Sequence, residues 1–293
     1  METVEYDKMF VKDLRRVLAE KPVAYLPIGA PEMHGEHLTF GQDGIKAHEI
    51  CRRIAQAGGG AVLPALHAGI GVPDSFNFGN IYIPPRTARA LYRAFLEGLA
   101  RVGFRVIVAL TGHYPGCQVA VTKHAAADAM TTSGAWVVGL DECELAFDLG
   151  YLGDHAGKWE TSIYWHLRPD LVEMDNLPED LSERLIAAGP EDPRVHASPE
   201  LGAQVVERVV ERMNAFVEML LGFDADPVTH GPTKTMMRNA TRAMAVAHGR
   251  GEPPARRSED YHRAAAQFYA GDFGPAYQTL VEAWGIMREE LGE

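Results

Sequence analysis

The sequence predicts an α/β fold: a mostly parallel central sheet covered by helices on both faces, followed by a C-terminal helical extension. Three observations carry this. Short apolar runs alternate with helix-period segments through the first two-thirds of the chain; the order reads β-α-β-α-β-α-β; and from about Pro199 only helical periodicity remains.

Val23–Ile28 (VAYLPI) is an apolar run of strand length that stops at Gly29. Asp43–Gln56 places Ile45, Ala47, Ile50, Cys51 and Ile54 at helical spacing, with Gly58–Gly60 as its stop. Ala61–Leu66 reads as a second strand, and Thr87–Val102 as a helix with Ala90, Leu91, Ala94, Phe95 and Leu99 as its apolar residues. Arg105–Leu110 (RVIVAL) is the clearest strand, followed by an Ala-rich helix over Gln118–Met130 and a fourth strand over Ala135–Leu140. Pro199–Leu221 repeats Val205, Val209, Met213, Phe216 and Leu220 at helical spacing. Further helices are predicted over Thr233–His248, Ser258–Tyr269 and Gly274–Leu291, interrupted by GRGEPPARR at 249–257. The expected organisation is a sheet domain over 1–222 and a helical extension over 223–293, packed on that domain or on a neighbouring subunit.

Composition narrows the function. The 293 residues hold 28 Lys+Arg and 40 Asp+Glu, a net charge of −12, which argues against a polyanion-binding role. Three cysteines with no CxxC pattern point to a reducing cytoplasm. The start, METVEYDKMFVKDLRR, carries acids and no apolar core of signal-peptide length, and no stretch reaches 18 apolar residues, so neither export nor membrane insertion is expected. Twelve histidines are the feature to follow.

In open parallel sheets, ligands bind beyond the carboxyl ends of the strands. That rule places Gly29–Asp43, Thr111–Cys117 and the chain from Asp141 onward along one edge, and these are the segments rich in His, Asp and Glu. The first contains Glu32, His34, Gly35, His37 and Asp43, two carboxylates and imidazoles of the type that bind Zn, Mn or Fe(II). Asp43 equally suits a helix N-cap, and His34 a surface loop. The second, TGHYPG at 111–116, holds His113 between two glycines after the clearest strand; a plain strand-to-helix turn reads the same way. The third, DHAGKWETS at 154–162, sets Asp154 beside His155, which could tune an acid/base imidazole, and puts Glu160 in the first turns of a helix, where an acid also complements the dipole. Ser162 lacks the G-x-S-x-G context of a serine nucleophile.

Taken in order, PIGAPEMHGEHLTFGQD, TGHYPG and DHAGKWETS resemble the creatininase (creatinine amidohydrolase) family over roughly Lys21 to Leu171. The resemblance implies a three-layer α/β/α fold with a metal centre at the carboxyl edge of the sheet. It implies Glu32, His34, Asp43 and His113 as metal ligands, Asp43 bridging two ions, and His155 as the residue that passes a proton to the leaving group, backed by Asp154. It further implies one or two divalent ions per subunit (Zn foremost, Mn or Fe as alternatives) and a small-molecule substrate. A homo-oligomer, often hexameric among relatives, also follows from it. Two positions depart from the pattern. Pro115 stands where creatininase proper has a glutamate on the second metal, which argues against creatinine as substrate and leaves Glu160 to complete that site; Thr111 stands where the family has Asn.

Gly69–Ile83 falls where the family has a loop beside the metal site, and its glycines, Ser75, Asn77 and phenylalanines suit a mobile cover. Ser75, Tyr114 and Tyr151 are the expected substrate contacts. The leading expectation is hydrolysis of a C–N bond in a cyclic amide or formamide by a metal-activated water. The alternatives are hydrolytic C–C ring opening of a cyclic diketone derived from inositol, and a non-catalytic scaffold.

Overall fold

A computed structural model describes residues 4–71, 78–223, 227–251 and 254–291. Its elements begin with α1 (Val11–Glu20), which the patterning did not predict, and β1 (Val23–Gly29). Then follow α2 (Gln42–Gly58), β2 (Ala61–Val62), β3 (Leu66–His67), α3 (Pro85–Val102), β4 (Val106–Thr111), α4 (Gly116–Thr132), β5 (Trp136–Asp141) and α5 (Lys158–Leu167). The helical remainder is α6 (Pro193–His196), α7 (Pro199–Gly222), α8 (Pro227–Arg250), α9 (Glu259–Tyr269), α10 (Phe273–Trp284) and α11 (Arg288–Leu291).

The sheet is parallel throughout, in the order β2-β1-β4-β5 with β3 also on β1. β1, β4 and β5 are buried along their whole lengths, as strands covered on both faces must be. The single strand expected over Ala61–Leu66 is two short ones. Pro64 lies between them, with no N–H for the ladder and a fixed φ. The order of strand addition reverses between β1 and β4: β1 to β2 steps one way, and β3 to β4 and β4 to β5 step the other. Right-handed crossovers therefore put α2 on one face and α3 and α4 on the opposite one. This reversal is a topological switch point, and the crevice beyond the β1 and β4 carboxyl ends is where such sheets bind ligands.

α7 packs beside α2 and α5, while α8 lies along α4 with α10 against it. One apolar core runs from the strands into the extension, joining Val23, Val108 and Val138 to Met237, Met244, Tyr261 and Phe268. The C-terminal helices thus share the sheet's core. α8 starts at Pro227, ahead of Pro232, where the periodicity starts it at Thr233. No helix among the described residues is long and apolar enough to cross a membrane.

Candidate metal centre

After β1 the chain loops outward through Glu32, His34 and His37 and returns to α2, with the Glu32 amide on the Phe40 carbonyl at 3.0 Å. The N-cap of α2 is Gly41, and Asp43, in the first turn, caps nothing. Its carboxylate instead points to the sheet edge, with Oδ2 3.4 Å from the Ala30 amide. On the β4 side, Gly112 is required, because a Cβ there would collide with the Asp43 carbonyl oxygen. That close approach brings His113 against Asp43. α5 contributes Glu160 from across the crevice.

Two clusters result. His113 Nδ1 lies 2.9 Å from Glu32 Oε2 and 3.0 Å from Asp43 Oδ2. His34 Nε2 lies 3.0 Å from Asp43 Oδ1 and 3.4 Å from Glu160 Oε2. Asp43 is shared, one oxygen to each cluster. Donor atoms held about 2.1 Å from one ion sit roughly 3.0–3.4 Å from one another, from cis-octahedral to tetrahedral arrangement, so both spacings suit a metal. Asp43 Oδ1 makes no aligned hydrogen bond despite its closeness to His34. That buried oxygen is left as an acceptor that an ion could satisfy.

The surroundings orient both rings. His34 Nδ1 is 3.0 Å from the Glu32 carbonyl, and His113 Nε2 is 2.9 Å from the Ile70 carbonyl. Each ring thus donates outward and turns its other nitrogen toward the carboxylates, the arrangement that fixes the tautomer of a ligating histidine. Tyr82 donates its hydroxyl to Glu32 Oε1 at 2.6 Å and stacks on His113 with ring centroids 6.0 Å apart. Lys46 bonds Glu160 Oε1 and Glu142 Oε1, each at 3.0 Å, and also meets the Tyr114 hydroxyl. Tyr82→Phe is expected to weaken metal binding by about 10–100-fold, the usual cost of losing a ligand's supporting partner. Competition titration against a chromogenic chelator reads this directly.

Charge coupling is strong. Burial alone pushes His113 down, but Asp43 and Glu32 outweigh it and raise its pKa to about 10. His34 is raised well above its ordinary value in the same way, burial being outweighed by Asp43 and Glu160. Glu160 is held down at about 2, since Lys46 and His34 overcome its burial. In the metal-free protein, the raised His113 stabilises the fold fully below 6.5 and loses that contribution as pH rises through about 10. Glu160 contributes above 4.5 and loses its contribution as pH falls through about 2. Metal binding needs neutral imidazoles, so it must displace these protons. The rise in melting temperature on adding Zn²⁺ is expected to grow from pH 6 to pH 9, as thermal melts with and without metal would show; a rise that shrinks over that range would contradict it.

The other expected residues divide. His155 lines the same cavity, its ring centroid 4.3 Å from that of His34, and its Nε2 lies 2.8 Å from the Met33 carbonyl. Asp154 does not bond the His155 ring. Its two oxygens accept the Trp159 and Glu160 amides at 2.8 and 3.0 Å, capping α5 and so positioning Glu160. Burial, and then the nearby Glu160 charge, lift its pKa to about 7. Tyr114 lines the cavity, yet its hydroxyl is engaged with Glu142, Tyr151 and Lys46. Tyr151 is fully buried behind it. Ser75 and Asn77 lie outside the described residues, and with them the middle of the expected cover. The described end of that segment has another use: Asn80 holds the Met33 amide at 2.8 Å and the Tyr82 hydroxyl at 3.0 Å. His37 is buried on Thr161 Oγ1 at 2.9 Å, tying the first loop to α5. Pro115 lines the cavity without a donor side chain.

Residues missed from the sequence are Lys46, Tyr82, Glu142, His248, Arg256 and Arg257. Lys46 left a signal, since it falls in register with Ile50 and Ile54 on the buried stripe of α2, where a lysine must have a partner.

A model of the creatininase family, creatinine amidohydrolase, matches residues 7–217. The chain belongs to the creatininase family. Membership places it among that family's metal-dependent hydrolases. A creatinine amidohydrolase from Pseudomonas putida is 28% identical over 183 residues, 55% of this chain and 70% of that protein. A manganese creatininase structure is 25% identical with a TM-score of 0.60, covering 73% of this chain and 96% of the other. A mutant creatininase of Zn–Zn type is 24% identical with a TM-score of 0.59, at the same coverage. Such identities suit a family member that is not creatininase proper, and the three-layer fold agrees with theirs.

Proposed function

We propose that the protein is a binuclear metal-dependent hydrolase of a small polar carbonyl compound, cleaving the C–N bond of a cyclic amide or formamide. The observation that carries this reading is Asp43, whose two oxygens each meet a different histidine, so that one buried carboxylate joins two donor clusters. Glu32, His113 and Asp43 would hold one divalent ion, and His34, Glu160 and Asp43 the other, with Zn²⁺ or Mn²⁺ fitting the mixed carboxylate and imidazole donors. Such ions supply Lewis-acid polarisation of a carbonyl and activation of water.

The chain's own groups do the rest. Glu160 replaces the ligand that Pro115 cannot provide. His155 keeps its Nε2 on the Met33 carbonyl, which leaves Nδ1 as the nitrogen able to pass a proton to the departing atom. Asp154 acts as a positioning residue through the α5 cap, and Tyr114 and Ser75 complete the expected substrate contacts. The cavity holds about 330 Å³, space for a small molecule of one ring. A scaffold without catalysis has no need for this convergence of buried, oriented donors. Ring opening of an inositol-derived cyclic diketone uses the same centre and is separated by assay.

Turnover of cyclic amides, formamides and oxidised inositols, measured before and after chelation, tests the proposal. Activity lost on chelation and restored by Zn²⁺ or Mn²⁺ supports it; activity indifferent to metal sinks it. A cytoplasmic homo-oligomer belongs to the same reading, and light scattering in solution checks the assembly.

A further inference from the structure

The family match ends at residue 217, but the cavity is closed by residues beyond it. Part of the wall comes from the end of α8 and the segment leading to α9: His248, Gly251, Pro254, Ala255, Arg256 and Arg257. This wall is built into the site. A Cβ at Gly116, three residues after His113, would lie 2.7 Å from the His248 carbonyl oxygen, so the end of α8 presses directly on the His113 loop.

Arg256 is fixed there by backbone. It donates to the Tyr114 carbonyl and, at 3.5 Å, to the Leu152 carbonyl, and its guanidinium lies 5.4 Å from the Tyr114 ring centroid. Gly153, at φ +81°, leaves the space, since a Cβ there would collide with Arg256 Nη1. Asp141 acts on Arg256 at longer range, and among the described residues neither Arg256 nor Arg257 forms an ion pair. Arg257 is exposed at the cavity, and its side chain makes no hydrogen bond among the described residues. The guanidinium fork matches the two oxygens of a carboxylate.

We propose that Arg257, with Arg256 beside it, is a specificity-determining pair that binds a carboxylate carried by the substrate, so that this enzyme acts on an anionic carbonyl compound. The proposal rests on the metal-hydrolase reading of the same cavity. In it, the extension supplies two arginines to a cavity otherwise lined by the carboxylates of Glu32, Asp43, Asp154 and Glu160. The reactive carbonyl then lies toward Asp43 while the substrate's carboxylate is held on the arginines.

Calorimetric titration with succinamate, which carries one carboxylate and one amide carbonyl, and with neutral succinamide, on Zn²⁺-loaded and metal-free protein, tests this without a known substrate. Wild type is expected to prefer succinamate by tenfold or more. Arg257→Gln should abolish the preference, Arg257→Lys should keep part of it, and zinc stoichiometry should stay unchanged in both. Equal binding of the two probes by wild type, or a preference that survives both Arg257→Gln and Arg256→Gln, overturns the proposal. Zinc stoichiometry measured alongside reports separately on the metal reading: absent stoichiometric metal would undo that reading, while the comparison of probes in metal-free protein still decides the arginines.

Discussion

Asp43→Asn is expected to leave the protein unable to hold a pair of divalent ions. Asp43 is buried and fully surrounded, its Oδ2 3.0 Å from His113 and its Oδ1 3.0 Å from His34. The amide keeps the shape but removes the negative charge and turns one donor oxygen into an N–H pair that repels a cation. Losing a partner that merely supports a ligand costs about 10–100-fold in affinity. Losing the carboxylate shared by both clusters should therefore cost at least about 100-fold for each ion, with hydrolysis falling alongside. Metal analysis after dialysis, paired with turnover, reads both effects. Retention of two ions and full activity would remove Asp43 from the centre.

Lys46→Met should produce the largest loss of stability. The ammonium is buried beside Glu160 and Glu142 at 3.0 Å each, and without it two carboxylates remain in a low-dielectric interior. Breaking such a buried pair from one side costs about 3–5 kcal/mol. For a chain of this size that is a fall of roughly 5–8 °C in melting temperature. The double variant Lys46→Met with Glu142→Gln should recover part of the loss, because it removes one uncompensated charge along with its partner. A single variant as stable as wild type would show that the ion pairs are balanced elsewhere.

How much was legible in advance follows from what each residue type can signal. Strands buried on both faces announce themselves as continuous apolar runs, so β1, β4 and β5 and the edge they define could be read from VAYLPI, RVIVAL and AWVVGL. With that edge placed, Glu32, His34, Asp43, His113, His155 and Glu160 fall on its loops or in the first turns of the helices that follow them, and the structure brings all six to one cavity. The alternative of Asp43 as an N-cap could be decided only in three dimensions, because a first-turn aspartate serves either end. Asp154 shows the opposite failure. Adjacency to His155 implied a partnership, whereas the helix beginning at Lys158 needed an acceptor for its free amides and took both carboxylate oxygens. Tyr114 and Tyr151 read as aromatic walls, yet a phenol can also satisfy a buried Glu142, and that contact is set by packing 28 and 9 residues apart. The arginines at 256 and 257 gave no signal, since GRGEPPARR reads as a solvated loop unless one knows that α8 runs along α4 to the mouth of the site.

The most direct test of the binuclear centre is an anomalous-difference map from crystals of the protein loaded with Mn²⁺. Two peaks are expected flanking the Asp43 carboxylate, one within bonding distance of Glu32 and His113 and the other of His34 and Glu160. An absence of peaks at Asp43, or a single peak that touches only one histidine, would contradict it.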